Sequence, residues 1–189
     1  MNDSPARTAR HGALIGMAAG AAMAMYAMVA SATYQHHGFF TPLFHISALV
    51  GSPKSMMQSM TAAMHGDTFW FTPGAAICGL LIHMITGAMY GIGFALLTRR
   101  VRRDATVLAA GTAYGIAALL FSGLVALPIA ATIADAGKPI SDMASMVGWG
   151  TFTVEHIIFG MMLGAGVVIA RRLWASQPDT GSVRSAVLV

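Results

Sequence analysis

The sequence predicts an all-α integral membrane protein with four transmembrane helices, and three observations predict it. The 189 residues are 56% hydrophobic and 10% charged, too little polar material to coat a water-soluble domain. The apolar residues gather in four long runs, 13–32, 73–98, 106–131 and 147–170. Each reaches the roughly 20 residues that a helix rising about 1.5 Å per residue needs to cross a bilayer core of about 30 Å. The cations then segregate to one side of these runs. Glycine within the runs does not argue against helices, because a lipid-exposed backbone must satisfy its hydrogen bonds internally.

Charge orients the spans, since cytoplasmic loops carry the excess of Lys and Arg. Arg7 and Arg10 precede span one, Arg99, Arg100, Arg102 and Arg103 join spans two and three, and Arg171, Arg172 and Arg184 follow span four. Lys54 and Lys138 fall on the opposite side. The expected layout is a cytoplasmic tail at 1–10, a transmembrane domain at 11–174 with an outer segment at 33–72, and a second cytoplasmic tail at 175–189. Its address is the inner membrane, with both ends in the cytoplasm. The net charge of +4 reads as a topology signal and an attraction to anionic headgroups, so the bilayer is the expected partner and nucleic acid is not. Trp70 and Trp149 stand at outer span ends and Trp174 at an inner one, where indole rings prefer the interface. A lone Cys78 excludes a disulfide framework.

Span one has a rival reading. Arg7, Arg10, the apolar run and Ala30-Ser31-Ala32 together imitate a cleavable secretory signal. The run is longer than a signal core, and it has a counterpart later in the chain, which favours retention.

The outer segment follows. Thr41-Pro42 and Ser52-Pro53 each read as an N-cap followed by proline at the first helical position. Gly51 and Gly66 stand where helices stop. Two short helices are therefore expected, Pro42 to Val50 and Pro53 to His65. The first is apolar but too short to span, so it is re-entrant or interfacial. Thr72-Pro73 repeats the start signal for span two. The later outer connection, Asp135 to Asp142, is shorter and is expected to hold no equivalent helices.

Small residues four apart let transmembrane helices approach closely, and they are placed alike in the two halves. Gly12, Gly16 and Gly20 lie in span one, and Gly111 and Gly115 in span three. Span two reads His83, Gly87, Gly91; span four reads His156, Gly160, Gly164. This pattern predicts two similar helical hairpins inserted in the same direction, an internal repeat within a four-helix bundle.

Ionisable groups inside a membrane usually face a bundle interior or a polar cavity. His83, Glu155 and His156 are the candidates, with His45 of the outer segment as a supporting group. Counted back from Arg99 and Arg171, both span histidines lie roughly 23 Å above the inner interface, in the outer third of the membrane. Two imidazoles at one depth suit a transition metal or, as a bis-histidine pair, a b-type haem. They equally suit plain hydrogen bonding to neighbouring helices. Glu155 points about 100° away from His156 on a helix, so the two do not readily share a partner, and the carboxyl is expected either to face an outer cavity or to pair with a group from the long outer segment.

A weaker cluster of soft and imidazole ligands, His36, His37, Met56, Met57, Met60, Met64 and His65, suits copper. Met56, Met60 and Met64 also fall on one helical face, as an amphipathic packing helix requires. Methionine is frequent in the spans as well, which favours packing. A nucleophile elbow, a P-loop, a dinucleotide-binding glycine pattern and His-Glu-x-x-His are all missing, so no enzyme is predicted.

The glycine run at 12, 16 and 20, His83-x-x-x-Gly87-x-x-x-Gly91, Leu127-Pro128 and His156-x-x-x-Gly160-x-x-x-Gly164 together resemble the YagU-like and related uncharacterised bacterial membrane proteins. The resemblance covers the spans and not the His- and Met-rich outer segment. It implies a four-span inner-membrane fold and no particular activity. Three functional readings follow from the residues: metal or small-ligand binding at the paired histidines, an accessory or assembly subunit in a homo-oligomer or larger membrane complex, and bis-histidine haem electron transfer.

Overall fold

The computed structural model describes residues 4–175. Arg184 and the expected second tail beyond 175 lie outside the described residues, as does the side chain of Trp174. Helix α1 runs Pro5–Ala32 and is followed by α2 (Thr41–Ser47), α3 (Lys54–Met64) and α4 (Pro73–Thr98). Helix α5 (Asp104–Phe121) passes through a π-helical turn, Ser122–Ala126, into α6 (Leu127–Ile133); α7 (Lys138–Ser141), α8 (Met143–Val147) and α9 (Trp149–Ala175) complete the chain. Every regular element among the described residues is helical.

Four helices are long and apolar enough to cross a membrane: α1, α4, the continuous α5–α6 rod from Asp104 to Ile133, and α9 as far as Leu173. Their outward faces carry the large apolar side chains, such as Leu81, Ile85 and Met89 at four-residue spacing on α4. The faces where α1 meets α4 and α5 meets α9 are built largely from glycine and alanine. The chain therefore has the composition of a multi-pass membrane protein, with bulk turned to lipid and small residues turned to neighbouring helices.

Start signals position most helices, with local differences. Helix α1 begins at Pro5, where the Ser4 hydroxyl accepts from the Arg7 N–H at 3.3 Å, so much of the segment expected as a tail is helical. Thr72 and Pro73 open α4 as an N-cap and first residue. Thr41 is already inside α2, and its hydroxyl pairs with Ser59 Oγ at 2.9 Å instead of capping the helix. A tertiary partner has displaced the cap. Pro53 is itself the cap residue of α3. The connection from Asp135 to Asp142, expected to lack helices, leads into α7 and α8. Gly137 (φ 64°) opens the first, and Gly148 (φ 87°) separates the second from α9.

Helices α1 and α4 run antiparallel along a glycine seam. A Cβ on Gly12 would stand 2.7 Å from the Gly91 carbonyl oxygen, and one on Gly16 would overlap the Gly87 carbonyl outright. Helices α5 and α9 meet in the same manner, Gly111 against Gly160 and Gly164, and Gly115 against the His156 carbonyl and Gly160. Helix α1 also packs on α9. A cluster of Phe94, Val107, Phe159, Leu163, Val167 and Val168 fills the end of the bundle nearest the arginine-rich loop. There Arg171 donates to the carbonyls of Thr98 at 2.8 Å and Val101 at 2.7 Å, closing the end of α4. The opposite half, packed by clusters around Phe44, Ile140 and Phe152, leaves an unfilled region among them.

The π-turn borders that unfilled region. The Leu127 N–H donates to the Ser122 carbonyl, five residues back. Pro128 has no N–H for the Leu124 carbonyl, so the rod loses one ordinary helical bond and widens by a residue.

Candidate functional site

The half of the bundle away from the arginine-rich loop holds a cavity of about 280 Å³, lined mainly by apolar side chains. Helices α1, α4, α5 and α9 contribute wall residues, and α2, α3, α7 and α8 contribute from the outer connections. His45, His83, Glu155 and His156 all line it, and so do His37, Met56 and Met60. His36, Met64 and His65 do not line it and are exposed. His65 instead donates from Nδ1 to its own helix, at the Thr61 carbonyl, 2.8 Å away.

Each of the three buried or half-buried cavity histidines on a helix has one ring nitrogen on a backbone carbonyl. The carbonyl can only accept, so that nitrogen carries the hydrogen and the other nitrogen of the neutral ring is an acceptor. His83 donates from Nε2 to Gly20 O at 3.0 Å, across the seam between α4 and α1. His156 donates from Nδ1 to Phe152 O at 2.8 Å, on its own helix, with its ring edge-on to the Phe152 ring at 4.4 Å. His45 donates from Nε2 to Pro139 O, joining α2 to α7. The second nitrogens, His83 Nδ1, His156 Nε2 and His45 Nδ1, have no hydrogen-bond partner among the described residues.

His45 lies outside the spans, and its burial pushes its pKa below the ordinary 6.5; the bond to Pro139 opposes the shift and nearby His37 adds to it. Burial lowers the pKa of His37 as well, and neighbouring His36 acts in the same direction.

Glu155 is the acidic group of the cavity wall. Its side chain is 5% exposed, and Oε1 is fully buried with no hydrogen-bond partner. No Lys or Arg lines the cavity. Although it follows a different helical direction from His156, Glu155 borders the same space, because the cavity is wide enough to touch both sides of that helix face.

Sequence reasoning passed over several polar wall residues. Tyr90 and Ser122 pair at 2.9 Å, with Tyr114 donating to the Tyr90 carbonyl at 3.0 Å. Gln35 donates to Val147 O at 2.6 Å and Thr151 Oγ1 at 3.2 Å, tying the end of α1 to the start of α9. The signal for Ser122 was Pro128 six residues later, which marks the disturbed turn.

No set of three or more His, Cys, Asp and Glu side chains among the described residues is placed to hold one metal ion. No family model, curated protein or solved structure matches the chain.

Proposed function

We propose that the chain is a non-enzymatic binding protein of the cytoplasmic membrane, with both ends in the cytoplasm, whose outer cavity takes up a small, largely apolar molecule. Glu155 carries the reading. A carboxyl group buried without a hydrogen bond costs several kcal/mol, about 1–3 kcal/mol for the missing bond and more for a charged form. Such a cost persists where a ligand is there to satisfy the group. The volume lies near the lower end of ordinary ligand sites, which span about 300–1,000 Å³. The apolar wall with a few convergent polar atoms is the usual character of such sites.

The matched seams, Gly16 and Gly20 against the His83 helix and Gly111 and Gly115 against the His156 helix, support reading the bundle as two similar hairpins from an internal repeat. Kinship with the YagU-like proteins is part of the same reading and rests on the same spacing. The accessory-subunit alternative drew on the glycine faces and the outer helices as docking surfaces; the seam glycines are occupied within the chain, which favours the cavity reading. A single metal as cargo is less well supported, since no three His, Cys, Asp or Glu side chains among the described residues are placed to hold one ion.

A thermal-stability screen of purified protein in detergent with small amphiphiles tests the reading, with Ala130→Phe as the comparison, because Ala130 lines the cavity and is half-buried. Selected compounds are expected to stabilise the native chain and not the filled variant. Equal responses from both would overturn the proposal.

A further inference from the structure

We infer that the ligand of this cavity is a lipophilic amine, an apolar body carrying one protonated primary or secondary ammonium group. The inference rests on the cavity reading above and deepens it by naming the ligand's chemistry.

The argument follows from which polar atoms of the wall remain free. The ring N–H groups of His45, His83 and His156 all go to backbone carbonyls. The hydroxyls of Ser31 and Thr86 go to the carbonyls of Gly38 and Ile82 at 2.8 Å and 2.9 Å. Both donor hydrogens of the Gln35 amide are engaged at Val147 and Thr151. What remains is the unprotonated nitrogens of three imidazoles, the Gln35 amide oxygen and the Glu155 carboxyl, against the His37 ring N–H and one hydroxyl hydrogen from each of the Tyr90–Ser122 and Thr41–Ser59 pairs. Acceptors outnumber donors on this wall, and the one group on it that can carry a negative charge has no cation beside it.

A ligand that complements such a wall brings donors and a positive charge. A carboxylate or phosphate would find no Lys or Arg on the wall to balance its charge, and it would be repelled by Glu155 wherever that group is ionised. An alcohol offers a single donor and leaves the carboxyl without a counter-charge. A protonated amine offers two or three donors on one compact centre. It can ion-pair with Glu155, and its remaining hydrogens face a wall that also carries imidazole nitrogens. A charge pair formed in an apolar enclosure also gains more than one formed in water. The apolar wall then takes the hydrocarbon body.

Three probes of similar shape separate these chemistries: benzylamine, benzyl alcohol and benzoate, titrated into detergent-solubilised full-length protein near neutral pH with binding read by calorimetry. Benzylamine is expected to bind at least about tenfold more tightly than either of the others, a modest ratio for a desolvated charge pair. Glu155→Gln is expected to abolish that preference, and Glu155→Asp is expected to retain part of it. Circular dichroism and gel filtration check that each variant keeps its fold. If Glu155→Gln fails that check, the ranking of the three probes on the native protein decides alone. Alcohol or benzoate binding as tightly as the amine, or a folded Glu155→Gln that keeps the amine preference, overturns the assignment to amines and leaves the cavity reading standing. If no probe binds the native protein, or Ala130→Phe binds all three as well as it does, the cavity reading falls too.

Discussion

His83 donates its Nε2 hydrogen to the carbonyl oxygen of Gly20 at 3.0 Å, from one transmembrane helix to the next. A side chain reaches a neighbouring helix backbone in this way only where the two backbones are close, and the seam below it provides that closeness. Gly20 faces Gly87, and Gly16 faces both Gly87 and Gly91. The bond also sets the chemistry of the cavity, since it leaves the other ring nitrogen of His83 as an acceptor.

The seam is therefore the first place to probe. A methyl group at Gly16 would overlap the Gly87 carbonyl, which is backbone and cannot swing away. Gly16→Ala is expected to destabilise the chain by about 1–3 kcal/mol, the usual cost of forcing atoms into packed space. Gly150, whose added methyl meets nothing within 4 Å, provides the control; Gly150→Ala is expected to change stability by less than about 0.5 kcal/mol or to raise it. Denaturation of the two variants in mixed detergent micelles measures both.

The outer connections should respond to acid through His45. Its folded pKa lies below the ordinary 6.5 because the ring is buried, so the unfolded chain takes up the proton first. The stability contributed by the neutral ring is complete above pH 6.5 and declines as the pH falls from there toward the lowered folded value. His37 acts in the same direction. The thermal midpoint of the native protein is expected to fall as the pH is lowered below 6.5, and His45→Gln, which keeps an N–H donor without titrating, should show a shallower fall. A slope unchanged in His45→Gln would remove His45 as its source.

Two adjacent arginines should behave differently. Arg171 is partly buried and donates to two carbonyls at the end of α4, whereas the Arg172–Asp104 pair is 72% and 38% exposed. Arg171→Ala is expected to cost about 1.5–3 kcal/mol, the range for hydrogen bonds from charged donors. Arg172→Ala should cost less than about 1 kcal/mol, as exposed pairs do. Arg171→Lys should recover only part of the loss, since an ammonium group lacks the planar fork that spans both oxygens. Equilibrium unfolding of the three variants ranks them.

The proposed orientation has a direct test in cells. On a Cys78→Ser background, Ser52→Cys and Asp142→Cys are expected to react with an impermeant maleimide in intact cells. Arg100→Cys should react only after the membrane is opened. The reverse pattern would invert the assignment of the arginine-rich side to the cytoplasm.

The number of membrane-crossing helices and their helical character were written in the sequence, because apolar run length and backbone hydrogen bonding in lipid leave a chain few options. Thr72-Pro73 marked the start of α4 to the residue, since a cap and a proline act within one turn. Features that depend on a partner elsewhere in the chain were not legible. Thr41 reads as a cap, yet Ser59 holds its hydroxyl. Asp135 to Asp142 reads as plain loop, yet Pro139 accepts the His45 bond between α7 and α2. Glu155 and His156 point apart on an isolated helix, and only the arrangement of α1, α4, α5 and α9 places one cavity against both. The sequence by itself determined an all-helical chain with four spans and named ionisable residues within them. The tertiary structure decided which of those residues share a space and which polar atoms remain free there, because helix packing, and not local periodicity, sets where the bundle closes on glycine and where it stays open.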